Sequence, residues 1–394
     1  MKILLVNTVF EEGSTGRICK DLYDEYEKNG HQCCIAYGRG KVSPNYNSFK
    51  VGNIVSVFSH VFQTRFMDNH GFGSKIATKS LTDFIEEYNP DVIHLHNLHG
   101  YYLNIDILGN TLRNYHGYII WTLHDQWPFS KGAAYIQEDK NSFYTKDYPT
   151  TFFSFRDNLS RKASAFKDLK HITLVTPSEW LKNSLKDSSI NYPVEVINNG
   201  IDLNLFKSDK RNYLIEKYHL SEKKIILGCS SIWDRRKGLK YFEDLSDVIS
   251  DEYQIVVIGR VKKKKKNNII YIDKTESISE LVSWYSISSV FLNTTLQDNF
   301  PTVNIEALAC GTPVVTFDTG GSSEIIDNLS GISIKEKNVK NIYTAIIESQ
   351  KLDRENCIER AKKFDKNKSY SEYIALINNY YGDKKRNNSE VNHN

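Results

Sequence analysis

The length, composition and charge of this chain exclude several classes of protein. Its 394 residues, 40% of them hydrophobic, exceed the size at which one core usually stops growing, and they predict two domains. The 51 basic and 48 acidic residues give a formal net charge of +3, so no global charge favours a nucleic-acid partner. No run approaches the roughly 18 apolar residues of a membrane span, so we expect any membrane contact to be peripheral.

The cysteines and the amino terminus bear on location. The six cysteines form no CxxC pair and no cluster with histidine, which is typical of a reduced, cytosolic protein. The amino terminus has a four-residue apolar core after one lysine, too short for a signal peptide. We expect a cytoplasmic protein, with the cytoplasmic face of the membrane as an alternative location.

Five short apolar runs recur in the first half of the chain, with helical patterns between them. Because they are apolar throughout and do not alternate, they predict parallel strands covered on both faces, in a doubly wound α/β domain over residues 1–198. The runs are KILLVN from Lys2, HQCCIAYG from His31, DVIHLHN from Asp91, YIIWTLHD from Tyr118 and HITLVTPS from His171.

The pattern starts again after INNGID at Ile197 to Asp202, the best candidate for a hinge. One sheet with so many parallel strands would be unusually wide, so we predict a second sheet and domain over residues 199–369. Its runs are KKIILGCSS from Lys223, YQIVVIGR from Tyr253, NIIYID from Asn268, SVFLNTT from Ser289 and TPVVTFD from Thr312. A helical pattern continues to about Tyr381, and we expect the polar residues 383–394 to be disordered.

A turn after the first strand contains two glycines. Gly13 and Gly16 let the backbone approach a ligand closely before a helix that we expect to begin at about Arg17. The spacing matches neither the P-loop nor GxGxxG, and glycine-bearing turns between strand and helix are common.

Histidines cluster near the ends of two predicted strands. His124 and Asp125 end one strand, at the edge where open α/β sheets bind ligands, although a structural role for such a histidine is common. His94, His96 and His99 alternate on another, but they lack nearby carboxylate or thiolate ligands, so we predict no metal site. The chain also has no DxD motif, so a metal-bridged nucleotide-diphosphate site is not visible.

A basic turn follows the first strand of the second domain. Arg235, Arg236 and Lys237 precede Gly238 and a new helix, at the ligand-binding edge. These cations could neutralise a diphosphate leaving group without metal. A solvated basic turn is an equal alternative.

The stretch LQDNFPTVNIEALACGTPVV, from Leu296, predicts a helix that starts near Pro301 and ends at Gly311. Such a helix amino terminus suits a phosphate or a sugar oxygen. Asp298 lies before the helix and Glu306 more than one turn inside it, so the two carboxylates would reach different parts of one ligand. The alternatives are a capping role for Asp298 and a surface position for Glu306, although the apolar neighbours of Glu306 suggest burial, where a charge needs a partner.

The run from Asp298 to Glu306, followed by ALACGTPVVTFDTGGSSE, resembles the E-x7-E signature of the retaining glycosyltransferases of family 4, which have the GT-B fold. RRKG, NNGID, the glycine-bearing turn and LHD occur in the order that this family shows, over nearly the whole chain. The sequences GSTGR, LHDQWP and DNFPTVNIEALACGTPVV are most similar to the bacterial members that build exopolysaccharide, capsule or O-antigen units.

The resemblance implies a role for each matching residue. Glu306 would bind the ribose, Asp298 the transferred sugar and Lys237 the diphosphate of a nucleotide-sugar donor. His124 would reach the donor sugar, and the final helix, at about 370–382, would pack on the first domain. The remaining donor-binding residues are Gly16, Arg17, Ser231, Arg235, Arg236, and the segment Asn299, Phe300, Pro301 and Thr302, in which Pro301 offers no N–H donor.

Three departures from the family pattern affect these roles. Asp298 is one methylene shorter than the usual glutamate, so it needs a closer loop or a different hydroxyl. Ser231 stands where the family usually has an arginine, so Arg235 or Arg236 supplies the charge, or the diphosphate is held less tightly. Gly-Ser-Thr-Gly replaces an adjacent glycine pair.

The resemblance implies a retaining, metal-independent glycosyltransferase without a cofactor. Its partners would be a nucleotide-sugar donor and a glycan or polyprenyl-diphosphate-linked acceptor. A nucleotide-sugar epimerase on the same fold, or an inactive nucleotide-sugar-binding protein, are alternatives. The segment FSHVFQTRFMDNHGFGSK, from Phe58, mixes aromatic and cationic residues, as a surface near anionic lipid would, although an ordinary amphipathic helix explains it too.

Overall fold

A computed structural model describes residues 1–136, 151–153, 155–209, 213–264 and 266–391, with side chains through residue 384. The chain divides into two compact units. Unit 1 contains Met1–Ile197 and Tyr370–Asn394, and unit 2 contains Asn198–Ser369. The chain therefore passes from one unit to the other twice.

Unit 1 is built on a seven-stranded parallel sheet with the order β3-β2-β1-β4-β5-β6-β7. The strands are β1 (Lys2–Asn7), β2 (Gln32–Tyr37), β3 (Ser48–Lys50), β4 (Val92–Leu95), β5 (Tyr118–Thr122), β6 (Ile172–Thr176) and β7 (Val194–Val196). The helices between them are α1 (Gly13–Lys28), α2 (Ile54–Met67), α3 (Lys75–Tyr88), α4 (Ile105–Arg113), α5 (Asn158–Ala165) and α6 (Glu179–Ser184), with a 3₁₀ turn at Trp127–Phe129.

The apolar runs form strands because both faces of the sheet are covered. Along β1, Leu4 and Val6 belong to one buried cluster, and Ile3 and Leu5 belong to the cluster on the opposite face. Since successive strand residues point to opposite faces, a run without polar alternation fits a sheet between two helical layers.

Unit 2 repeats this plan with a six-stranded parallel sheet of order β10-β9-β8-β11-β12-β13. Its strands are β8 (Lys224–Trp233), β9 (Tyr253–Val261), β10 (Ile269–Ile272), β11 (Val290–Asn293), β12 (Val314–Phe317) and β13 (Gly331–Ile334). Its helices are α7 (Tyr213–Lys217), α8 (Leu239–Leu245), α9 (Ile278–Ile287), α10 (Thr302–Ala309), α11 (Ser322–Ile325), α12 (Val339–Ser349) and α13 (Arg354–Ala361), followed by a 3₁₀ turn at Lys362–Phe364.

The last helix, α14 (Lys366–Val391), begins in unit 2 and continues in unit 1. In unit 1, Tyr370, Tyr373 and Ile377 are buried in the cluster that covers one face of the sheet. The ring of Tyr380 stacks on that of Tyr118 with 4.3 Å between centroids. The backbone of 383–391 is helical, whereas the sequence predicted a disordered tail; residues 392–394 of that tail lie outside the described part of the chain.

The segment NNGID packs against the start of α14 within unit 2. Ile201 donates its backbone N–H to Phe364 at 3.0 Å and accepts that of Lys366 at 2.9 Å. Lys366 Nζ also lies 2.9 Å from Asp202 Oδ2. On the unit 2 side, the two chain crossings are thus hydrogen-bonded to each other.

The predicted α/β class with two Rossmann-like parallel sheets is confirmed. All six cysteines carry free thiols, and five of them are buried. Among the described residues, no helix combines the length and the apolar character that crossing a lipid bilayer requires.

Candidate functional site

The site in unit 2 lies where the winding of its sheet reverses. The strands β8 and β11 are neighbours, and the chain proceeds from them toward opposite edges. In open α/β sheets, ligands bind beyond the carboxyl ends of the strands at such a point. The basic turn follows β8 and the Asp298 loop follows β11, so the fold brings the two predicted motifs together.

Asp298 forms an ion pair with the basic turn. Lys237 Nζ lies 2.9 Å and Arg236 Nη1 3.9 Å from Asp298 Oδ2. Burial alone would raise the pKa of the Asp298 carboxyl, but the two cations outweigh burial and lower that pKa. Two cations and one carboxylate leave a net positive charge, which suits a diphosphate.

The turn that presents Lys237 is held in place by contacts of Asp234, Arg236 and Gly238. Asp234 Oδ1 accepts the N–H of Lys237 at 2.9 Å. Gly238 follows with φ +74°, and a Cβ there would overlap the carbonyl oxygen of Thr294. Arg236 Nη1 donates to the carbonyl of Gln297 at 2.8 Å, which fastens the turn to the loop after β11. Only glycine fits at position 238.

The loop around Asp298 is held by a glycine pair and by an aromatic anchor. Gly320 has φ +57° and approaches the Asp298 carbonyl so closely that a Cβ would overlap it. Gly321 donates its N–H to the Asn299 carbonyl at 3.0 Å. Phe300 is buried and packs edge-to-face on Phe364 with 5.6 Å between centroids. The Gly-Gly turn is therefore a support of the site.

Helix α10 begins immediately after this loop, with Pro301 as its N-cap. No side chain caps the helix, and Asn304 donates its N–H to the Pro301 carbonyl at 3.0 Å, so the N–H groups of Thr302 and Val303 remain for a ligand or water. Asn304 accepts a hydrogen bond from Asn293 Nδ2 at 2.8 Å, which fastens the first turn to the end of β11. The helix ends before Gly311, which has φ +78°, as the sequence predicts.

Glu306 lies in the second turn of α10 and is only 6% exposed. The buried hydroxyl of Tyr285, on α9, donates to Glu306 Oε2 at 3.0 Å. Burial, followed by the charge of Glu306, raises the pKa of Tyr285 well above its usual range, so the hydroxyl keeps its proton. Glu306 is therefore a buried carboxylate with a fixed donor, and the surface alternative is wrong. Sequence reasoning missed Tyr285, which looks like any apolar position of α9.

Two predicted donor-binding residues, Ser231 and Arg235, have exposed side chains. Ser231 lies within β8 and is exposed, and no described contact joins it to Lys237 or Asp298. Arg235 is also exposed, whereas its neighbour Arg236 reaches the Asp298 loop. Of the two arginines considered as replacements for the missing charge, Arg236 is thus the one at the loop.

In unit 1, α1 begins at Gly13, four residues earlier than the sequence predicted. Gly16 therefore lies within the first helical turn, and a Cβ there would come within 3.2 Å of Val9 Cγ2 and 3.3 Å of the Phe10 backbone. Arg17 is exposed, and its Nε donates to the Gly13 carbonyl at 3.2 Å. The described neighbours of Gly16 thus belong to the loop after β1.

His124 belongs to a hydrogen-bonded network at the carboxyl ends of β4 and β5. Its Nε2 lies 3.0 Å from His96 Nδ1, with the two rings stacked. His99 Nε2 lies 2.8 Å from Asp125 Oδ2. Burial lowers the pKa of His124 to about 4, with Asp125 opposing that shift. At neutral pH, His124 is an uncharged hydrogen-bonding group.

Lys162 is a buried lysine that sequence reasoning missed. Its Nζ donates to the Trp127 carbonyl at 2.6 Å and to the Ser130 carbonyl at 3.0 Å, and lies 3.8 Å from the centre of the Trp127 ring. Burial lowers the pKa of Lys162 well below its usual range, and Asp125 opposes this. Within the described residues, no group of three or more histidine, cysteine, aspartate or glutamate side chains is arranged to hold a metal ion.

Sequence comparison identifies both halves of the chain. Residues 15–205 match the Glycosyltransferase Family 4 profile, and residues 210–364 match the profile of the Glycosyl transferases group 1. The chain belongs to the family 4 glycosyltransferases. The resemblance that the motifs indicated is confirmed, and this glycosyltransferase has the α/β architecture of the GT-B enzymes.

This glycosyltransferase is similar to curated bacterial glycosyltransferases. It is 20% identical over 361 residues to WcaC of Escherichia coli, assigned to colanic acid biosynthesis, covering 86% of this chain and 88% of the relative. It is 25% identical over 264 residues to the N,N'-diacetylbacillosaminyl-diphospho-undecaprenol alpha-1,3-N-acetylgalactosaminyltransferase of Campylobacter jejuni, covering 61% of this chain and 69% of the relative.

Solved structures share its fold. Anabaena HepE in complex with UDP-glucose superposes with a TM-score of 0.70 at 13% identity, covering 96% of this chain and 100% of HepE. At this identity, the similarity establishes the fold alone.

Proposed function

We propose that this glycosyltransferase moves a sugar from a nucleotide-diphosphate donor to a hydroxyl of a glycan or polyprenyl-diphosphate-linked acceptor, with retention and without a metal ion. The pathway would be cell-surface polysaccharide biosynthesis, and the location the cytoplasm or the cytoplasmic face of a membrane. The observation that supports this most is the cluster of Lys237, Arg236 and Asp298 beside the amino terminus of α10, at the reversal point of the sheet.

The cluster of Lys237, Arg236 and Asp298 would stabilise the charge of the leaving group. When the bond between sugar and phosphate breaks, negative charge builds on the diphosphate. Lys237 and Arg236 would stabilise it together with the α10 N–H groups, which are already in place and need little reorganisation. A diphosphate would also compete with Asp298 for Lys237, which would release Asp298 to accept a hydrogen bond from a sugar hydroxyl.

Glu306 and Tyr285 would recognise the nucleoside. A carboxylate accepts hydrogen bonds from both hydroxyls of a ribose, and the Tyr285 donor holds that carboxylate in one orientation. UDP-glucose in the structurally similar HepE supports a nucleotide-sugar donor in general, without identifying the donor of this enzyme.

Retention is proposed to follow from attack on the face that the diphosphate leaves. The leaving phosphate would take the proton of the acceptor hydroxyl, so no carboxylate nucleophile is required. His124 would contribute a neutral hydrogen bond to the donor sugar, since its lowered pKa keeps it uncharged. Gly16 and Arg17 are proposed to lie beside the donor phosphates.

A donor screen tests the proposal. The purified chain is incubated with UDP-, GDP- and ADP-linked sugars, with and without EDTA, while its thermal midpoint and nucleotide release are followed. We expect one nucleotide class to raise the midpoint and EDTA to change nothing. With a lipid-linked acceptor, NMR of the product should show the anomeric configuration of the donor.

Three results would contradict the proposal. A new sugar formed without acceptor would indicate an epimerase, and binding without turnover would indicate an inactive binding protein. An inverted product would refute retention.

A further inference from the structure

Helix α2 buries the polar side chains of His60 and Thr64 in unit 1 and exposes its phenylalanines to solvent. His60 is buried, accepts the N–H groups of Gly71 and Gly73 at Nε2, and lies 2.9 Å from Ser74 Oγ through Nδ1. On the other side, Phe58 is 67% exposed. A helix on a globular domain normally buries its apolar stripe, so this orientation is reversed.

A second segment enlarges the exposed aromatic surface. The N–H of Phe152 donates to the Arg65 carbonyl at 2.8 Å, and that of Phe155 to Asp68 Oδ2 at 3.0 Å, so the segment is fastened to the end of α2. The six exposed phenylalanines are called here the phenylalanine patch: Phe58, Phe62, Phe66, Phe152, Phe153 and Phe155.

Exposed cations lie on α2 and on the segments before and after it. Residues 48–80 contain four cations and a single acid, Asp68. Asp68 is buried and accepts the N–H groups of Phe155 and Arg156, so it presents no charge to solvent. The exposed cations of this stretch are Lys50, Arg65, Lys75 and Lys79. An exposed apolar surface with a cationic rim is complementary to an anionic membrane surface.

A cleft beside α2 combines the same properties. Its volume is about 470 Å³, with Ile54, Phe58 and Val61 on its apolar side and Arg39 and Lys50 on its cationic side. A phospholipid headgroup, with its phosphate near the cations, fits this combination.

We propose that the phenylalanine patch docks on an anionic lipid bilayer, with its rings inserted at the interface. This proposal deepens the proposed function and rests on it in one respect: the enzyme would meet a lipid-linked acceptor at the membrane surface. A second copy of the chain fits less well, because a two-fold contact through this patch would face one cationic rim with another.

Vesicle sedimentation tests the docking surface. The full chain is mixed with vesicles of phosphatidylcholine alone or with about 30% phosphatidylglycerol, and the bound fraction is measured. Wild type should bind the anionic vesicles, and added salt should weaken the binding. The triple variant F58S/F62S/F66S should bind them about tenfold less tightly.

The matched control removes three similarly exposed apolar side chains from unit 2. Leu205, Val248 and Leu329 are 51, 59 and 54% exposed, and the variant L205S/V248S/L329S should bind vesicles like wild type. Equal binding by both triple variants, or no binding by wild type, would overturn the proposal. A lipid-free dimer that F58S/F62S/F66S converts to a monomer in the ultracentrifuge would assign the patch to a second copy.

Nucleotide release from the donor separates this proposal from the proposed function. The F58S/F62S/F66S variant should keep the thermal midpoint and the lipid-free donor turnover of wild type, because none of its substitutions lies in the nucleotide site. If wild type binds anionic vesicles but turns over no nucleotide sugar, the proposed function fails and the docking surface stands. If wild type turns over donor but does not bind anionic vesicles, the docking surface fails and the proposed function stands.

Discussion

Lys237 Nζ lies 2.9 Å from Asp298 Oδ2, although 61 positions of sequence separate the two residues. The contact exists because β8 and β11 pair side by side and both end at the same edge of the sheet. A basic turn and an acidic loop, each unremarkable alone, become one charged site at a helix amino terminus.

Replacement of Lys237 tests the charged site. We expect Lys237→Ala to lower kcat/KM by about 100- to 1,000-fold, because a positioned charge that stabilises the leaving group is lost. Lys240→Ala is the control: Lys240 is exposed on α8 and pairs with Asp244 at 2.6 Å, an i,i+4 contact that contributes little. Steady-state kinetics decides, and near-normal activity of the Lys237 variant would refute the diphosphate assignment.

Removal of the Tyr285 hydroxyl tests how Glu306 is held. We expect Tyr285→Phe to lower the free energy of unfolding by about 1.5–3 kcal/mol, because a buried carboxylate loses its hydrogen-bond donor. Tyr88→Phe, which removes a hydroxyl that donates to the Gln32 carbonyl at 3.2 Å near the surface, should cost clearly less. Urea unfolding measures the stability of both variants. A double-mutant cycle that combines Tyr285→Phe with Glu306→Gln isolates the coupling energy between the two side chains. Additive effects of the two unit 2 substitutions would show that the pair is not coupled.

A methyl group at position 320 tests the support of the Asp298 loop. Gly320→Ala would combine a left-handed backbone, which costs about 1–2 kcal/mol, with overlap at the Asp298 carbonyl. We expect donor turnover to fall well beyond the loss of stability. Gly30→Ala is the matched control, because Gly30 has φ +81° and no atom lies within 4 Å of its added Cβ. Equal activities in the two variants would mean that the loop tolerates displacement.

The buried histidines predict that the stability of unit 1 falls at acidic pH. Burial lowers the pKa of His94 to about 3 and that of His124 to about 4, both below the unfolded value of 6.5. The unfolded chain therefore binds more protons between about pH 4 and 6.5, so stability falls as the pH is lowered through that window. Asp125, whose pKa is lowered from 3.8, loses its stabilising effect only at lower pH.

Calorimetric scans between pH 7 and 5 measure this effect. His94→Gln should show a smaller fall of the thermal midpoint than wild type, since one buried histidine no longer titrates. His116→Gln, at an exposed position, should match the wild-type slope. A wild-type midpoint that is independent of pH in this range would contradict the prediction.

The long elements were predictable from sequence, and the short ones were not. Runs such as KILLVN are apolar on both faces, which the two covered faces of a parallel sheet require. The edge strands β3 and β7 have three residues each and mixed burial, so no periodicity marks them. The start of helix α1 at Gly13, where φ is +69°, was not predicted, because Gly-Ser-Thr-Gly has a low helix propensity; Gly16 packs against the loop after β1.

For the candidate site, spacing in the sequence predicted which residues share a motif. Asp298, Glu306 and Lys237 were named from local patterns: a helix start with two carboxylates, and cations before a glycine. Tyr285 and Lys162 were missed, because their surroundings come from segments distant in the chain. An apolar helix position does not show that its hydroxyl faces a carboxylate, and a lysine on α5 does not show that its amine is buried.

The sequence by itself determined the two parallel α/β sheets, the family and the residues beside the ends of the strands, because hydrophobic periodicity and turn chemistry act over a few residues. Only the tertiary structure decided that Lys237 and Arg236 meet Asp298, that Glu306 is buried with a donor, and that α2 exposes its phenylalanines. These properties depend on which strands pair and on which face of a helix finds a partner. The burial of a side chain and the partner of a charge both depend on neighbouring residues that come from distant positions in the chain.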